Sequence, residues 1–183
     1  MSLRAIHAAA AVETNDDFHL ARLILLLHAN SGRSNKAVDG ITKLAKMDFL
    51  LRYPSCLARV LADRRPNDVA AVSEKERNTI EAQMVRYRYG PWDGRYRRWI
   101  GLLVARGLAT TFLEGKTVFV QLTEPGLALA NQLKAMPEFQ PLGERSVLVA
   151  RAVGDFSPTK LMKYIYERFP EIVNMKMGQY IKL

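Results

Sequence analysis

The amino-acid sequence predicts a mainly α-helical protein with a small β-hairpin in its second half. Over residues 94–106, apolar side chains recur at helical spacing, and Gly107 follows where a helix C-terminus favours a left-handed residue. The apolar stripe consists of Tyr96, Trp99, Ile100 and Leu103. Two strand-like runs come next, 109–113 and 117–122, and the short turn 114–116 joins them. The change of period at Gly107 indicates a helix that leads directly into a hairpin.

The first part of the chain contains three stretches with the periodicity of helices. The spacing predicts helices over residues 17–29, 36–51 and 55–62. The carboxylates of Asp16-Asp17 favour the N-terminus of the first helix, because they complement its dipole. Tyr53-Pro54 ends the second helix, because proline disfavours helical backbone at the residue before it.

A polar connector, residues 63–73, precedes a more varied segment. Ser73 and Glu76 have the spacing of a capping box, which predicts a helix over about 74–85. Residues 86–92 interleave arginine with aromatic side chains and contain a Gly-Pro pair, so we interpret them as a rigid aromatic and basic loop. Their aromatic side chains, like Trp99, are interpreted as core and loop anchors rather than as platforms for nucleic-acid bases.

Helical patterns return after the hairpin. Pro125 stands near the first turn of the next predicted helix, a position that proline favours. Three helices are predicted, over about 124–135, 142–153 and 158–169, and the tail over 175–183 is expected to be extended.

The order helix, glycine, hairpin, helix is that of the end of a winged helix-turn-helix domain. The segment LTEPGLALA, which begins at Leu122, resembles the LT-x-x-G turn that follows the wing in MarR-like regulators. We therefore predict an N-terminal arm (1–15), a winged-helix domain (16–136) and a C-terminal helical extension (137–183). In DNA-binding winged helices, the helix before the wing enters the major groove.

The chain is strongly basic, with 27 Lys and Arg against 18 Asp and Glu and a net charge of +9. This balance favours a polyanionic partner. The candidate nucleic-acid-binding residues are Arg86, Arg88, Arg95, Arg97, Arg98 and Lys116. Without Asn or Gln companions to read adenine, these side chains favour sequence-tolerant contact with phosphates. The alternative, that they form a solvated or protein-facing surface, stays open.

Motifs for chemistry are absent from the sequence. It contains no phosphate-binding loop, dinucleotide fingerprint or nucleophile elbow, and the three histidines lie outside the spacing of a zinc site. The single cysteine, Cys56, is expected to be a buried thiol. Asp39 and Asp48 share a helix with Lys43 and Lys46, and we interpret these residues as surface ion pairs. The sequence thus predicts a protein without catalytic residues, metal or cofactor.

The composition of the chain favours a cytoplasmic protein that does not enter a membrane. No apolar run approaches the roughly 20 residues of a membrane span. A single cysteine allows no internal disulfide, which fits a reducing compartment.

Three longer blocks carry a family resemblance. They are GITKLAKMDFLLRYPSCLARVL (40–61), MVRYRYGPWDGRYRRWIGLLVARGLA (84–109) and FSPTKLMKYIYERFPEI (156–172). Together they resemble the small middle component of bacterial ABC-three-component systems and similar subunits of Lamassu-type anti-phage defence complexes. The resemblance implies a non-catalytic accessory subunit. Its partners would be an SMC- or Rad50-like ATPase and an effector from the same operon, with double-stranded DNA as a further partner.

The last predicted helix is rich in apolar side chains. The candidate partner-binding residues are Leu161, Met162, Ile165, Tyr166 and Phe169. This side of the helix either closes the protein's own core or docks on a partner. Two rival functions stay open besides the accessory subunit: a stand-alone winged-helix transcription regulator, and an adaptor that binds only protein.

Overall fold

The computed structural model of the chain describes residues 15–32, 35–79, 84–88 and 90–182. The fold is mainly α-helical with two small antiparallel sheets. Its helices are α1 (Asp16–Ser31), α2 (Ile41–Arg52), α3 (Pro54–Arg64), α4 (Glu74–Arg77), α5 (Tyr96–Ala105), α6 (Glu124–Ala135), α7 (Gln140–Val153), α8 (Pro158–Arg168) and α9 (Pro170–Val173), with a 3-10 helix at Pro66–Ala71. Its strands are β1 (Val38–Asp39), β2 (Val85–Tyr87), β3 (Gly90–Trp92), β4 (Ala109–Glu114) and β5 (Thr117–Leu122).

Helix α1 lies in the interior of the protein. Residues 19–27 are all buried, and α6 and α7 pack along the helix. A helix that is apolar on nearly every side is a core helix, and residues 19–27 are apolar except for His19 and Arg22. Its N-cap is Asn15, whose side chain accepts a hydrogen bond from the Phe18 N–H at 3.2 Å. Asp16 and Asp17, predicted as the cap, occupy the first turn.

The helix and hairpin predicted around Gly107 are confirmed. Gly107 has a φ of +68°, a left-handed conformation that suits glycine at a helix end. Strands β4 and β5 then pair antiparallel, from Ala109 opposite Leu122 to Glu114 opposite Thr117. The turn between them contains Gly115.

Strand β1 adds a third strand to this hairpin, with Val38 opposite Val120. The resulting sheet has the order β1-β5-β4. The predicted helix over 36–51 is therefore wrong at its start, because α2 begins only at Ile41. Gly40, with a φ of +105°, separates the strand from the helix, and its N–H donates to the Val118 carbonyl at 3.0 Å.

The segment LTEPG joins the hairpin to α6 through two close contacts. The Thr123 hydroxyl accepts a hydrogen bond from the Gly126 N–H at 3.2 Å and donates to the Gly107 carbonyl at 2.6 Å. A Cβ atom at position 126 would lie 1.9 Å from the Leu108 carbonyl oxygen. Glycine is required here because the start of α6 presses directly on the backbone that enters β4.

The segment after the connector differs from its predicted form. The Ser73–Glu76 capping box is confirmed, but α4 ends at Arg77, so the prediction of a helix to Val85 is wrong. Helix α4 contains only charged residues and has no apolar stripe to bury, which leaves nothing to extend it. The predicted loop over 86–92 is instead a hairpin of β2 and β3 in the described residues.

The C-terminal tail continues this second sheet. Tyr180 bridges to Val85, and the Ile181 N–H donates to the Met84 carbonyl at 2.9 Å. Helix α7 packs on α1 and α8 packs on α2, so apolar side chains from 137–183 enter the same core as those of the preceding residues. The division of the chain at residue 136 stays a prediction.

Candidate nucleic-acid and partner interface

A buried cluster of ion pairs lies where α1, α2 and α5 meet, beneath the helix α5 that precedes the β4–β5 hairpin. We call it the buried ion cluster; its members are His19, Arg22, Asp48, Arg52, Asp93, Tyr96 and Trp99. Asp48 is its centre, and its carboxylate accepts from Arg22 Nε at 2.7 Å and from Arg52 Nε at 2.9 Å. The Tyr96 hydroxyl donates to the same carboxylate at 2.6 Å. Asp48 on α2 therefore contacts Arg22 of α1, Arg52 of α2 and Tyr96 of α5, so it joins the three helices.

Two arginines and two carboxylates carry the charges of the buried ion cluster, and Arg95 is a third cation at its edge. Arg52 Nη1 donates to Asp93 at 3.0 Å, and Arg95 Nη2 contacts the same carboxylate at 2.8 Å. Although burial raises the pKa of Asp48, Arg22 and Arg52 hold it below its ordinary value. Against the effect of burial, Asp48 and Asp93 raise the pKa of Arg52. Burial lowers the pKa of Arg22, whereas the pairing with arginine lowers the pKa of Asp93 and favours its charged form.

Trp99 packs between the two arginines. Its ring lies 5.6 Å from the Arg22 guanidinium and 5.5 Å from that of Arg52, distances at which cations attract an aromatic face. Its Nε1 donates to the Asp16 carboxylate at 3.0 Å. Trp99 is fully buried, as its place on the apolar stripe predicted. The cluster thus fixes the inner face of α5 against α1 and α2.

The interpretation of Asp48 as a surface residue paired with lysine is wrong. Helix α2 is buried on nearly every side, so both Asp48 and Lys46 point into the protein. Asp39 and Lys43 do form an ion pair at 2.6 Å, but the lysine is buried. The sequence contains one signal for this cluster, Arg22 within the apolar run 20–27, because a charge inside a core helix requires a buried partner.

The outer face of α5 carries arginines that mostly pair with acids. Arg95 contacts both oxygens of Asp93, at 3.0 and 2.8 Å. Arg98 pairs with Asp16 at 2.5 Å, and the neighbouring Arg106 pairs with Asp17 at 2.7 Å. Asp16 and Asp17 lie in the first turn of α1, and Asp93 lies two residues before Arg95, the N-cap of α5. In these pairs, Asp93 and Asp16 already offset the positive charge that Arg95 and Arg98 would present to a phosphate.

The other candidate nucleic-acid contacts differ in how exposed their side chains are. Arg86 donates to the Ile172 carbonyl at 3.1 Å and is partly buried, whereas Arg88 is exposed. Arg97 on α5 and Lys116 at the hairpin tip are also exposed. In the described part of the chain, no carboxylate forms an ion pair with Arg97 or Lys116. These two are therefore the candidates best placed to meet a phosphate.

The β4–β5 hairpin presents apolar side chains to solvent. Leu113 is 69% exposed, and Phe112 is exposed while its ring stacks on Phe119 at 5.1 Å. Its tip has one acid and one base, Glu114 and Lys116, so it carries no net charge. Sequence reasoning did not single out Leu113 and Phe112, because strand alternation does not tell where a hairpin leaves the core.

The candidate partner-binding residues of the last predicted helix divide into two groups. Leu161, Ile165 and Phe169 are fully buried in the protein's own core. These three residues therefore close the protein's own core, and they are not accessible to a partner. Met162 and Tyr166 are partly exposed, and the Tyr166 hydroxyl donates to the Arg88 carbonyl at 3.0 Å.

The single cysteine and the possible metal ligands are the remaining candidates for chemistry. Cys56 is buried, as predicted, and burial raises the pKa of its thiol to about 12. Across residues 15–32, 35–79, 84–88 and 90–182, no three His, Cys, Asp or Glu side chains come together as metal ligands would. Within the same residues, no helix combines the length and the apolar character needed to cross a membrane.

Comparison with protein-family models, with curated proteins and with solved structures gives no match to this chain.

Proposed function

We propose that this chain is a non-catalytic winged-helix subunit of an ATPase complex, and that it uses its β4–β5 hairpin to bind another protein. The observation that carries the proposal is the strand order β1-β5-β4, with α5 directly before the hairpin. In a winged helix, the short strand after the first helix pairs with the second strand of the wing, and this chain has that connection. Residues 53–95 are then an insertion between the second and third helices of the motif.

The surface of the wing supports protein contact. Exposed apolar side chains on the wing favour protein contact over phosphate contact. Leu113 and Phe112 are exposed on opposite faces of the hairpin, because they are neighbours in β4, and Val104 is exposed on α5. A wing built for phosphate contact would be expected to carry net positive charge, and this one does not.

The family resemblance supplies the kind of complex. The three blocks of sequence extend over α2, α5 and α8, and they resemble small subunits encoded beside an SMC- or Rad50-like ATPase and an effector. We therefore propose an anti-phage defence complex of that kind, with the ATPase as the first partner. Double-stranded DNA would be a second, weaker partner that meets Arg97 and Lys116.

The first test replaces Leu113 on the wing. We expect Leu113→Asp to abolish co-elution with the neighbouring ATPase in size-exclusion chromatography of the co-expressed proteins, because it places a charge in an apolar contact. Met177→Asp is the matched control, since Met177 is 71% exposed but lies in the C-terminal tail. The control should co-elute like the wild type.

Two results would contradict this proposal. If the wild-type proteins elute separately with and without nucleotide, the chain is not a subunit of that ATPase. If Leu113→Asp co-elutes as the wild type does, the wing is not the contact.

A second test measures DNA binding against salt. Each lost phosphate contact lowers the slope of log K against log salt by about 0.9. We expect the double variant Arg97→Ala/Lys116→Ala to flatten this slope by about 1.8 on unrelated duplexes. The control is Arg98→Ala/Arg106→Ala, which removes the same charge but from arginines held by Asp16 and Asp17. Equal slopes for the two double variants would contradict a specific role for Arg97 and Lys116.

The net charge of +9 and the position of α5 favour a second candidate, a stand-alone winged-helix regulator. A regulator should form a symmetric dimer and protect two half-sites about one DNA turn apart. Footprinting on the chain's own upstream DNA, with and without the ATPase, distinguishes the two functions.

A further inference from the structure

A small pocket beside α5 is lined by two cationic side chains. It lies between α2, the β2–β3 hairpin and the start of α5, and its volume is about 170 Å³. Lys46 and Arg97 supply the positive charges, and Tyr87 and Trp92 supply aromatic surface. None of the described residues that line it is acidic. The pocket therefore favours an anion.

Lys46 is an unusual residue at the base of this pocket. Its side chain is buried, and its Nζ donates to the backbone carbonyl of Thr42 at 3.1 Å. In the described part of the chain, no carboxylate forms an ion pair with it. Burial lowers the pKa of Lys46 to about 8, so the ammonium is still mostly charged at neutral pH. A buried charge without a counter-ion destabilises a fold, and a bound anion would supply that counter-ion.

The β2–β3 hairpin passes over the stem of this lysine at Gly90. Gly90 has a φ of +110°, and a Cβ atom there would lie 3.8 Å from Lys46 Cε. A glycine is favoured by the backbone conformation alone. Because residue 90 is a glycine, no side chain lies between the hairpin backbone and the stem of Lys46.

The aromatic side of the pocket can hold a planar group. Tyr87 and Trp92 stack with ring centroids 6.2 Å apart and planes inclined by 28°. Trp92 also packs on Tyr96 at 5.2 Å, which anchors the pair to the core. Tyr87 is about half exposed, so its outer face is open to a ligand. A nucleic-acid base stacks on such a face with little regard to its identity.

We propose that this pocket binds a nucleoside monophosphate, either free or at the 5′ end of a nucleic-acid strand. A terminal phosphate carries a charge of about −1.5 to −2 at neutral pH, which matches the two cations. The pocket holds the phosphate, and the base lies outside the pocket on Tyr87. The pocket is similar in size to a cavity of about 150 Å³ that accepts one benzene ring. This inference does not depend on the proposed role of the wing.

The test uses calorimetric titration of the full chain with AMP and with adenosine. We expect the wild type to bind AMP and not adenosine, and Lys46→Met to weaken AMP binding by at least about tenfold, because it removes a hydrogen bond to a charged group. Lys176→Met, at an exposed position of the tail, is the control and should bind as the wild type does. Methionine keeps the apolar stem of lysine, so the melting temperature of Lys46→Met without ligand should not fall below that of the wild type.

Competition with oligonucleotides distinguishes the two sources of the ligand. Displacement of AMP by a 5′-phosphorylated single strand, but not by its 5′-hydroxyl form, supports the pocket and assigns it to strand ends. Failure of both strands to displace bound AMP supports the pocket and assigns it to free nucleotides. The proposal is overturned if the wild type does not bind AMP at millimolar concentration, or if a folded Lys46→Met binds AMP as tightly as the wild type.

Discussion

Replacing Asp48 with alanine should lower the free energy of unfolding by about 3–5 kcal/mol, the cost of breaking a buried ion pair from one side. Asp48 is fully buried, and its loss would leave Arg22 and Arg52 next to each other without their shared carboxylate. Urea unfolding followed by circular dichroism measures the change. The control is Asp155→Ala, because Asp155 also pairs with an arginine, Arg64, but its side chain is 64% exposed. Exposed pairs contribute about 0–1 kcal/mol.

The pH dependence of this difference provides a further check. The pKa of Asp48 is lower in the folded protein than its ordinary value of 3.8. The carboxylate therefore contributes stability that is fully present above this value and is lost as the pH falls through the folded pKa. The difference between the wild type and Asp48→Ala should consequently narrow below pH 3.8. A difference of less than 1 kcal/mol at neutral pH, about that of an exposed pair, would show that the cluster is not tightly coupled.

Trp99→Ala is expected to destabilise the protein by about 3–5 kcal/mol, the range for truncating a buried large aromatic side chain. The change removes the ring between Arg22 and Arg52, and it also removes the hydrogen bond to Asp16. For a chain of this size, each kcal/mol lowers the melting temperature by about 2–4 °C, so we expect a decrease of about 6–20 °C.

Trp92→Ala is the matched control for this prediction. Trp92 is only partly buried, so its truncation should have a clearly smaller effect on thermal unfolding. If Trp99→Ala melts at the wild-type temperature, then the α5 stripe does not support the core. The Asp48 and Trp99 variants share the buried ion cluster, so their combined effect should be less than the sum of the two.

The pattern around α5 illustrates what could be predicted from the sequence. Apolar residues at helical spacing, a glycine at the helix end and two runs of strand-forming residues are local signals, and they led to the confirmed helix and hairpin. The cap at Ser73 was predicted in the same way, because a cap depends on residues within one helical turn.

The errors arose where pairing partners are distant in the chain. Strand β1 has only two residues, and it is a strand because β5 lies beside it, about 80 positions later. The hairpin of β2 and β3 is likewise extended by the C-terminal tail through Ile181. Short segments such as these have no period long enough to identify.

The candidate sites show the same division. The sequence by itself determined which residues are basic, where the helix before the wing begins and ends, and that Trp99 faces inward, since all of these depend on composition or on local period. Only the tertiary structure decided which arginines meet carboxylates, that Asp48 lies in the core, and that Leu161, Ile165 and Phe169 are covered by the chain itself. The physical reason is that burial and ion pairing depend on the packing of elements from distant parts of the chain, and a helical stripe looks the same whether its own core or a partner covers it.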